Sequence, residues 1–294
     1  MPNFLDAATR LIKVLQMNSP FDPDRPLSDT AFAVFDVETT GLSPAYGHRI
    51  CEIACRRIRD GEELAGFESL VDPDRPISAG AFRVNRITAD MLSGAPPFAD
   101  MAASLLETME DAVLVAHNAP FDLGFLAAEL EIARAAPPEG PVADTLTLVR
   151  RAYSFARNSL SAVSQALAVE QGQVHRAMGD VWTTCQVLKR ILWDLERRWG
   201  VTTLGQLLEF QGGSMPYPQP QVLPLPPTIA EALESQGRVR MRYVDARGQE
   251  TERLVRPLRV QGRHGHLYLI AHCYRAEALR TFRLDRVIEL NLEG

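Results

Sequence analysis

A chain of 294 residues, 46% hydrophobic, is long enough to bury more than one core, and a net charge of −6 leaves it mildly acidic. That balance excludes a protein that holds nucleic acid by its overall charge, so any contact with phosphates has to come through bound cations or local basic patches. The charge is unevenly spread: residues 228–294 hold 12 arginines against 9 carboxylates, which leaves −9 on the remainder.

The N-terminal stretch MPNFLDAATRLIKVLQM interrupts its apolar positions with Asp6, Arg10 and Lys13. It reads as an amphipathic helix and not as a signal peptide, and no run approaches the length of a membrane span. Prolines in NSPFDPDRPLSD then break regular structure, and a domain begins near Thr30. Residues 31–35, all apolar, predict a buried strand. Two more strands are expected over 50–58 and 63–71, joined by the turn Arg59-Asp60-Gly61. Helical periodicity marks 98–109, 121–132, 160–169 and 181–199, with a short apolar strand at 112–116. From 212 to 227, six prolines in sixteen residues make a stiff linker. Beyond a short helix at 229–234 the chain is β-rich, opening with Arg238, Arg240 and Arg242 alternating with Val239, Met241 and Tyr243, and then a hairpin turn over 245–248. The expected organisation is thus an N-terminal helix and loop (1–29), a first domain (30–199), a linker (200–227) and a second domain (228–294).

Cys51, Cys55, Cys185 and Cys273 form no CxxC pair and no dense framework. They read as reduced thiols of a cytoplasmic protein, with Cys51 and Cys55 in the core, and they offer no zinc site.

The chemistry begins at FDVETTG. With a side-chain period of two, Asp36 and Glu38 project from one face of the strand end and form a close pair of like charges, which requires a proton or a cation. In VAHNAPFDLGFL, Pro120 stops a strand and Asp122 lies in the first turn of the following helix; in HRAMGD, His175 lies in a loop and Asp180 opens the next helix. Taken singly, an acid in a first helical turn complements the helix dipole, and a loop histidine is ordinary.

Together, FDVETTG, HNAPFD and HRAMGD resemble the three motifs of the DEDDh exonucleases, the 3′-to-5′ group that includes the proofreading subunit of bacterial DNA polymerase III. Glu38 and Asp122 are 84 residues apart and Asp122 and Asp180 58, which suits that class. VDPDRPIS, FRVNRITADML and ADTL agree with it as well, although Asn85-Arg86-Ile87-Thr88 stands where relatives often have His-Gly-Ile-Thr. The resemblance covers roughly residues 30–195 and implies a ribonuclease H-like α/β fold, a mixed sheet with helices.

Carboxylates with one imidazole and no thiolate favour Mg²⁺ or Mn²⁺ over zinc. Two ions would relieve the repulsion and serve an in-line displacement at phosphorus, with Asp36 able to bridge them. By resemblance, Glu38 and Asp180 complete the first ion, Asp122 serves the second, and His175 is the general base. Thr39, Thr40 and Gly41 are candidates for backbone contacts to the terminal nucleotide. Phe121 is a candidate wedge or a core residue, and His117 and Asn118 belong to the second motif.

The stretch from VRPLRV through HLYLIAHCYRAEALRTFRLDRVIEL resembles a WYL domain, a small Sm/SH3-like β-barrel associated with sensing nucleic acid or nucleotides. The namesake tripeptide is Leu267-Tyr268-Leu269, without its tryptophan. The resemblance implies a ligand surface of Arg256, Tyr268, His272, Arg280 and Arg283. No helix-turn-helix precedes it. The chain is therefore expected to be a metal-dependent 3′-to-5′ exonuclease that releases nucleoside monophosphates, with single-stranded DNA as the leading substrate and a DNA polymerase or repair protein as a possible partner, and with no membrane association. The alternatives are short RNA as substrate and a non-catalytic sensor of nucleic-acid ends.

Overall fold

The structure, a computed structural model, describes residues 21–218, 225–245, 248–263 and 266–293. The amphipathic N-terminal segment, the middle of the proline-rich linker and the two central residues of the 245–248 turn lie outside them.

In chain order the strands are β1 (Phe32–Thr39), β2 (Ile50–Arg59), β3 (Glu62–Leu70), β4 (Val113–Ala116), β5 (Val142–Asp144), β6 (Arg238–Val244), β7 (Glu250–Arg263), β8 (His266–Cys273), β9 (Ala278–Arg283) and β10 (Val287–Glu293). The helices are α1 (Ala79–Asn85), α2 (Ala89–Leu92), α3 (Phe98–Met109), α4 (Ala119–Ala133), α5 (Thr145–Ala152), α6 (Leu160–Ala166), α7 (Ala177–Trp199), α8 (Leu204–Gln211) and α9 (Pro227–Ser235). They divide into two compact units. Of the described residues, one holds those up to Glu38 with Ile50–Arg75 and those from Ile87 to 218, and the other holds Thr39–Arg49, Pro76–Arg86 and those from 225 onward.

The first unit is built on a mixed sheet of order β3-β2-β1-β4-β5, in which β1 pairs with β4 and β4 with β5 in parallel, while β2 and β3 are antiparallel. β1 is apolar throughout its first half because both its faces are covered. Phe32 and Val34 enter a core with Val113, Val181, Cys185 and Leu188. Ala33, Phe35 and Val37 enter a second core with Leu105, Leu114, Phe125 and Leu126. α3 buries Phe98, Met101, Ala102, Leu105 and Met109, the spacing of one helical face.

Sequence periodicity missed β5 and α5, because a strand of three residues followed at once by a helix leaves no run long enough to show a period. It also missed α8 within 200–227, where Thr203 forms a capping box with Gln206, and Leu204 and Leu207 are fully buried. The end of α8 and the residues just after it occupy the open side of β5. Asp144 N–H donates to Gln211 Oε1 (2.6 Å) and Val142 N–H to Ser214 Oγ (2.8 Å), while Gln211 Nε2 and Met215 N–H both donate to the Val142 carbonyl (3.0 and 3.1 Å).

The second unit carries an antiparallel sheet of order β10-β6-β7-β8-β9. Val239, Met241, Tyr243, Val255, Leu269, Ala271 and Phe282 form its core with Ile229 and Ala232 of α9. The expected barrel is not closed among the described residues: β9 and β10 are the outer strands and no pairing joins them. The alternation along β6 is as expected, but its basic face is neutralised. Arg240 is paired with Glu252 and Glu293, and Arg242 with Glu250 and Glu289. Among the described residues no helix is long and apolar enough to cross a membrane.

Candidate active site

The alternation that fills the two cores also aims the carboxylates. Asp36 and Glu38 continue the face of Phe32 and Val34 as β1 reaches its end, and Glu38 is only 9% exposed. α4 begins with a proline in its first turn and presents Asp122, 3% exposed, whose Oδ1 accepts the N–H of Val37 at 3.1 Å. That bond fixes Asp122 to the residue between the paired acids. α7 presents Asp180 in its first turn, and Asp180 Oδ2 accepts the His175 N–H at 3.1 Å. Ligand atoms of Glu38, His175 and Asp180 lie within 4.8 Å of one another.

Asp36 and Asp122 join this trio through the electrostatic field. Burial, and then the charges of Asp122, Asp180, Glu38 and Glu52, hold the Asp36 carboxyl well above the usual range. Burial pushes Asp122 up to about 8 and raises Asp180 too. Carboxylates crowded in this way retain protons unless a cation replaces them, and an oxygen-rich set with one imidazole fits a hard divalent cation.

Several residues that support the site were not singled out from the sequence. Glu52 on β2, 1% exposed, receives Arg176 Nε on both carboxylate oxygens (3.0 and 3.1 Å) and accepts the N–H of Ala177 (3.0 Å), so it caps α7 just ahead of Asp180. Asp144 accepts the N–H groups of Asn118 (2.8 Å) and Ala119 (3.1 Å) as well as those of Leu146 and Thr147, and so ties the starts of α4 and α5 together. His175 itself is exposed, at φ 61° in the left-handed region. Its loop lies so close to α7 that a Cβ on Gly179 would overlap the Gln173 carbonyl oxygen. A buried acid within a strand has no local sequence signature, and only its partner 124 residues away explains Glu52.

Of the other first-unit candidates, His117 has both ring nitrogens engaged, Nε2 donating to the Asn158 carbonyl and Nδ1 meeting the Thr145 hydroxyl, each at 2.9 Å. Burial lowers its pKa. Asn118 sits at φ 75° as the N-cap of α4. Phe121 is half-buried and packs against Phe125 with ring centroids 5.1 Å apart. The four cysteines are buried free thiols, and burial raises Cys51, Cys55 and Cys185.

In the second unit, Thr39, Thr40 and Gly41 are buried and heavily bonded. Thr39 Oγ1 donates to the Gly41 carbonyl (2.6 Å), Thr40 N–H to the Arg49 carbonyl (2.9 Å), Asn85 Nδ2 to the Thr39 carbonyl (3.2 Å) and Ser78 N–H to the Thr40 carbonyl (3.0 Å). The Thr40 N–H is therefore already taken. In the C-terminal sheet, Arg256 stands opposite His272, and Tyr268 opposite Arg283, on the face turned away from Leu269 and Ala271. Arg280 stands opposite Ala271 and falls on the other face, so the register does not bring all five residues together.

The exonuclease family profile (RNase_T) matches residues 33–188, and the WYL domain profile matches 224–292. A DNA polymerase III subunit epsilon-like protein of Rhodobacter capsulatus is 40% identical over 191 residues, 63% of this chain and 27% of its own length. A PolC-type DNA polymerase III of Bacillus subtilis is 37% identical over 195 residues, 66% of this chain and 13% of its own. The chain thus spans a small part of these relatives. Among solved structures, E. coli Exonuclease I in complex with a dA16 oligonucleotide is 16% identical with a TM-score of 0.53, covering 82% of this chain and 55% of that one, a likeness of fold. On these matches, and with the three motifs in place, the chain belongs to the exonuclease family and carries a WYL domain at its C-terminal end.

Proposed function

We propose that the protein is a divalent-metal-dependent 3′-to-5′ exonuclease that hydrolyses single-stranded DNA ends to nucleoside monophosphates. The observation that carries this reading is the convergence of Glu38, His175 and Asp180 within 4.8 Å, with the half-buried carboxyl of Asp36 and the buried one of Asp122 in the same electrostatic cluster. Two ions, Mg²⁺ or Mn²⁺, would supply charge neutralisation at phosphorus and a more acidic bound water. Asp36, Glu38, Asp122 and Asp180 would hold them. His175, exposed and anchored through its backbone to Asp180, takes the proton of the attacking water, a task suited to imidazole at neutral pH.

Similarity to the DNA polymerase III proteins supports DNA as the substrate and a polymerase or repair protein as partner. Buried free thiols agree with a cytoplasmic location. In the WYL domain, Arg256, Tyr268, His272 and Arg283 share one face, and this face binds single strands by stacking and phosphate contact.

The test is digestion of 5′-labelled single-stranded DNA by the full chain. Mononucleotides should appear with Mg²⁺ or Mn²⁺ and cease in excess EDTA. A 3′-blocked strand should resist, whereas a 5′-blocked one should not. Nicking of a single-stranded circle, or undiminished hydrolysis in EDTA, would contradict the proposal.

A further inference from the structure

Two helices of the first unit end in arginines. Arg150 and Arg151 lie in the last turn of α5, and Arg197 and Arg198 in that of α7, where the helix dipole favours cations. All four are exposed, and among the described residues none of them forms an ion pair. The carboxylate nearest to hand is already occupied. Asp194, 7% exposed, accepts the Tyr153 hydroxyl at 2.6 Å and Arg190 Nε at 2.9 Å. Unpaired cations are thus concentrated on one surface of a chain whose net charge is −6.

A complement to the dipole needs no aromatic rings, yet these cations lie over them. Arg198 is 4.3 Å from the ring centroid of Trp199 and 5.8 Å from that of Tyr153, while Arg197 and Arg190 stand 4.6 and 5.5 Å from that of Trp193. Tyr153 stacks on Phe155, with centroids 4.9 Å apart and rings 10° from parallel. Arg150, Arg151 and Arg198 line a cavity of about 320 Å³ together with these two rings. Trp193 and Trp199 remain 50% and 43% exposed. Cations beside exposed ring faces match a single strand, which offers a phosphate and a base at every step. Beyond Trp193 the pattern stops, since Lys189 there shares its cleft with Glu196.

The surface adjoins the second motif. The chain that carries Tyr153 and Phe155 runs on to Asn158, whose carbonyl accepts Nε2 of His117 at 2.9 Å. Burial, and to a smaller extent the charge of Arg150, lowers the His117 pKa. On α7, Arg198 lies 18 residues after Asp180, about 27 Å at about 1.5 Å per residue.

We propose that the arginines and aromatic rings at the ends of α5 and α7 form a second binding site for single-stranded nucleic acid within the nuclease unit, distinct in its residues from the carboxylate cluster and from the WYL domain. It grips the body of a strand and not its end. Phosphates meet Arg150 and Arg197, and a base stacks on Trp193.

The experiment titrates the full chain into a 5′-fluorescein single strand of about 20 nucleotides, read by anisotropy over a salt series. The strand spans well over 27 Å at about 3.4 Å per stacked nucleotide. EDTA is present to prevent digestion, and the titration is repeated with Mg²⁺ on a 3′-blocked strand. Arg150→Gln and Arg197→Gln in one chain should lower the log–log salt slope by about 1.4, or 0.7 per phosphate, which at 0.1 M salt is about 25-fold in Kd. Trp193→Ala should raise Kd by about 5- to 150-fold, the usual contribution of one stacked base, and leave the slope as it is. Arg59→Gln, an exposed charge at the end of β2, should match wild type. Wild-type affinity in either the double arginine variant or Trp193→Ala overturns the proposal and leaves the surface to an acidic protein. A slope lowered equally by Arg59→Gln overturns it as well, because the attraction would then be diffuse. If the arginine variant does not fold, Trp193→Ala decides alone. None of these readouts needs hydrolysis: a wild-type chain that binds the strand in this way but digests no end would sink the exonuclease reading and leave this site standing.

Discussion

The main-chain N–H of His175 donates to the carboxylate of Asp180 at 3.1 Å, so the imidazole rides on a loop whose backbone is anchored to a carboxylate of the site. The ring is exposed and free to meet water, while its base cannot drift. His175→Ala should lower kcat by about 10²–10⁴-fold, the usual contribution of a positioned general base. Because the backbone bond survives the substitution, Mn²⁺ affinity measured by calorimetry should stay close to wild type. A parallel loss of metal affinity would make His175 a ligand instead.

Metal-free stability should fall as pH rises. The Asp122 carboxyl is pushed up to about 8 from an ordinary value of 3.8, so between these values the folded chain holds a proton that the unfolded chain has released. Folding then binds protons, and its stabilising effect is complete below the ordinary value and lost as pH climbs through about 8. Asp36 and Asp180, also raised, act in the same direction. Thermal melts in EDTA across this range should show a declining Tm, and excess Mg²⁺ should restore it most at the alkaline end. A Tm in EDTA that rises with pH would refute the assignment. Asp36→Ala should abolish hydrolysis while raising metal-free stability at alkaline pH.

Glu52 and Arg176 form a pair in which the acid is 1% exposed and also caps α7. Glu52→Gln leaves Arg176 without its charge partner and should cost about 3 kcal/mol by chemical denaturation. Arg176→Met in the same chain should recover part of that loss, since it removes the unpaired cation. Purely additive effects of the two changes would show that the pair is not coupled.

Arg86 occupies the left-handed region at φ 58° as the C-cap of α1, a conformation that favours glycine. Arg86→Gly should therefore stabilise the protein by about 1 kcal/mol, read as a raised midpoint in urea. Asn85 beside it is buried and bonded to the Thr39 carbonyl, and its replacement by alanine should destabilise.

The sheet register separates two arginines that the sequence alone would treat together. Arg283 shares a face with Tyr268, and Arg280 does not. With EDTA present to prevent digestion, Arg283→Ala should weaken binding of a long single strand, by fluorescence anisotropy, and reduce its log–log salt slope by about 0.7. Arg280→Ala should change neither. Equal effects from both would place the strand across the sheet edge rather than on one face.

Much of the first unit was legible because its signals are local. A continuous apolar run announced β1, Phe98 to Met109 repeated at helical spacing, and each candidate acid of the site lay in the second half of a strand or in the first turn of a helix, Asp36 and Glu38 in β1 and Asp122 and Asp180 at the starts of α4 and α7. What escaped depends on distance. Glu52 reads as one polar residue in an apolar strand until Arg176 is placed beside it. β5 is too short to carry a period, and α8 lay in a stretch whose later prolines suggested a linker throughout. The charge on β6 misled in a different way: the arginines alternate as read, but glutamates from β7 and β10 cancel them.

The amide of Gln211 stands beside β5 as a surrogate for a sixth strand, taking the Asp144 N–H and the Val142 carbonyl that a neighbour in the sheet would have used. A protein shortened to the boundary suggested by sequence, ending at residue 199, would keep every proposed metal ligand and every motif yet bare this hydrogen-bonding margin along with the faces of Val142 and Leu148. Exposed strand margins recruit other chains. The minimal nuclease is therefore longer than its catalytic signature: it extends through Met215, and fragments that stop sooner should self-associate even where their active sites are whole.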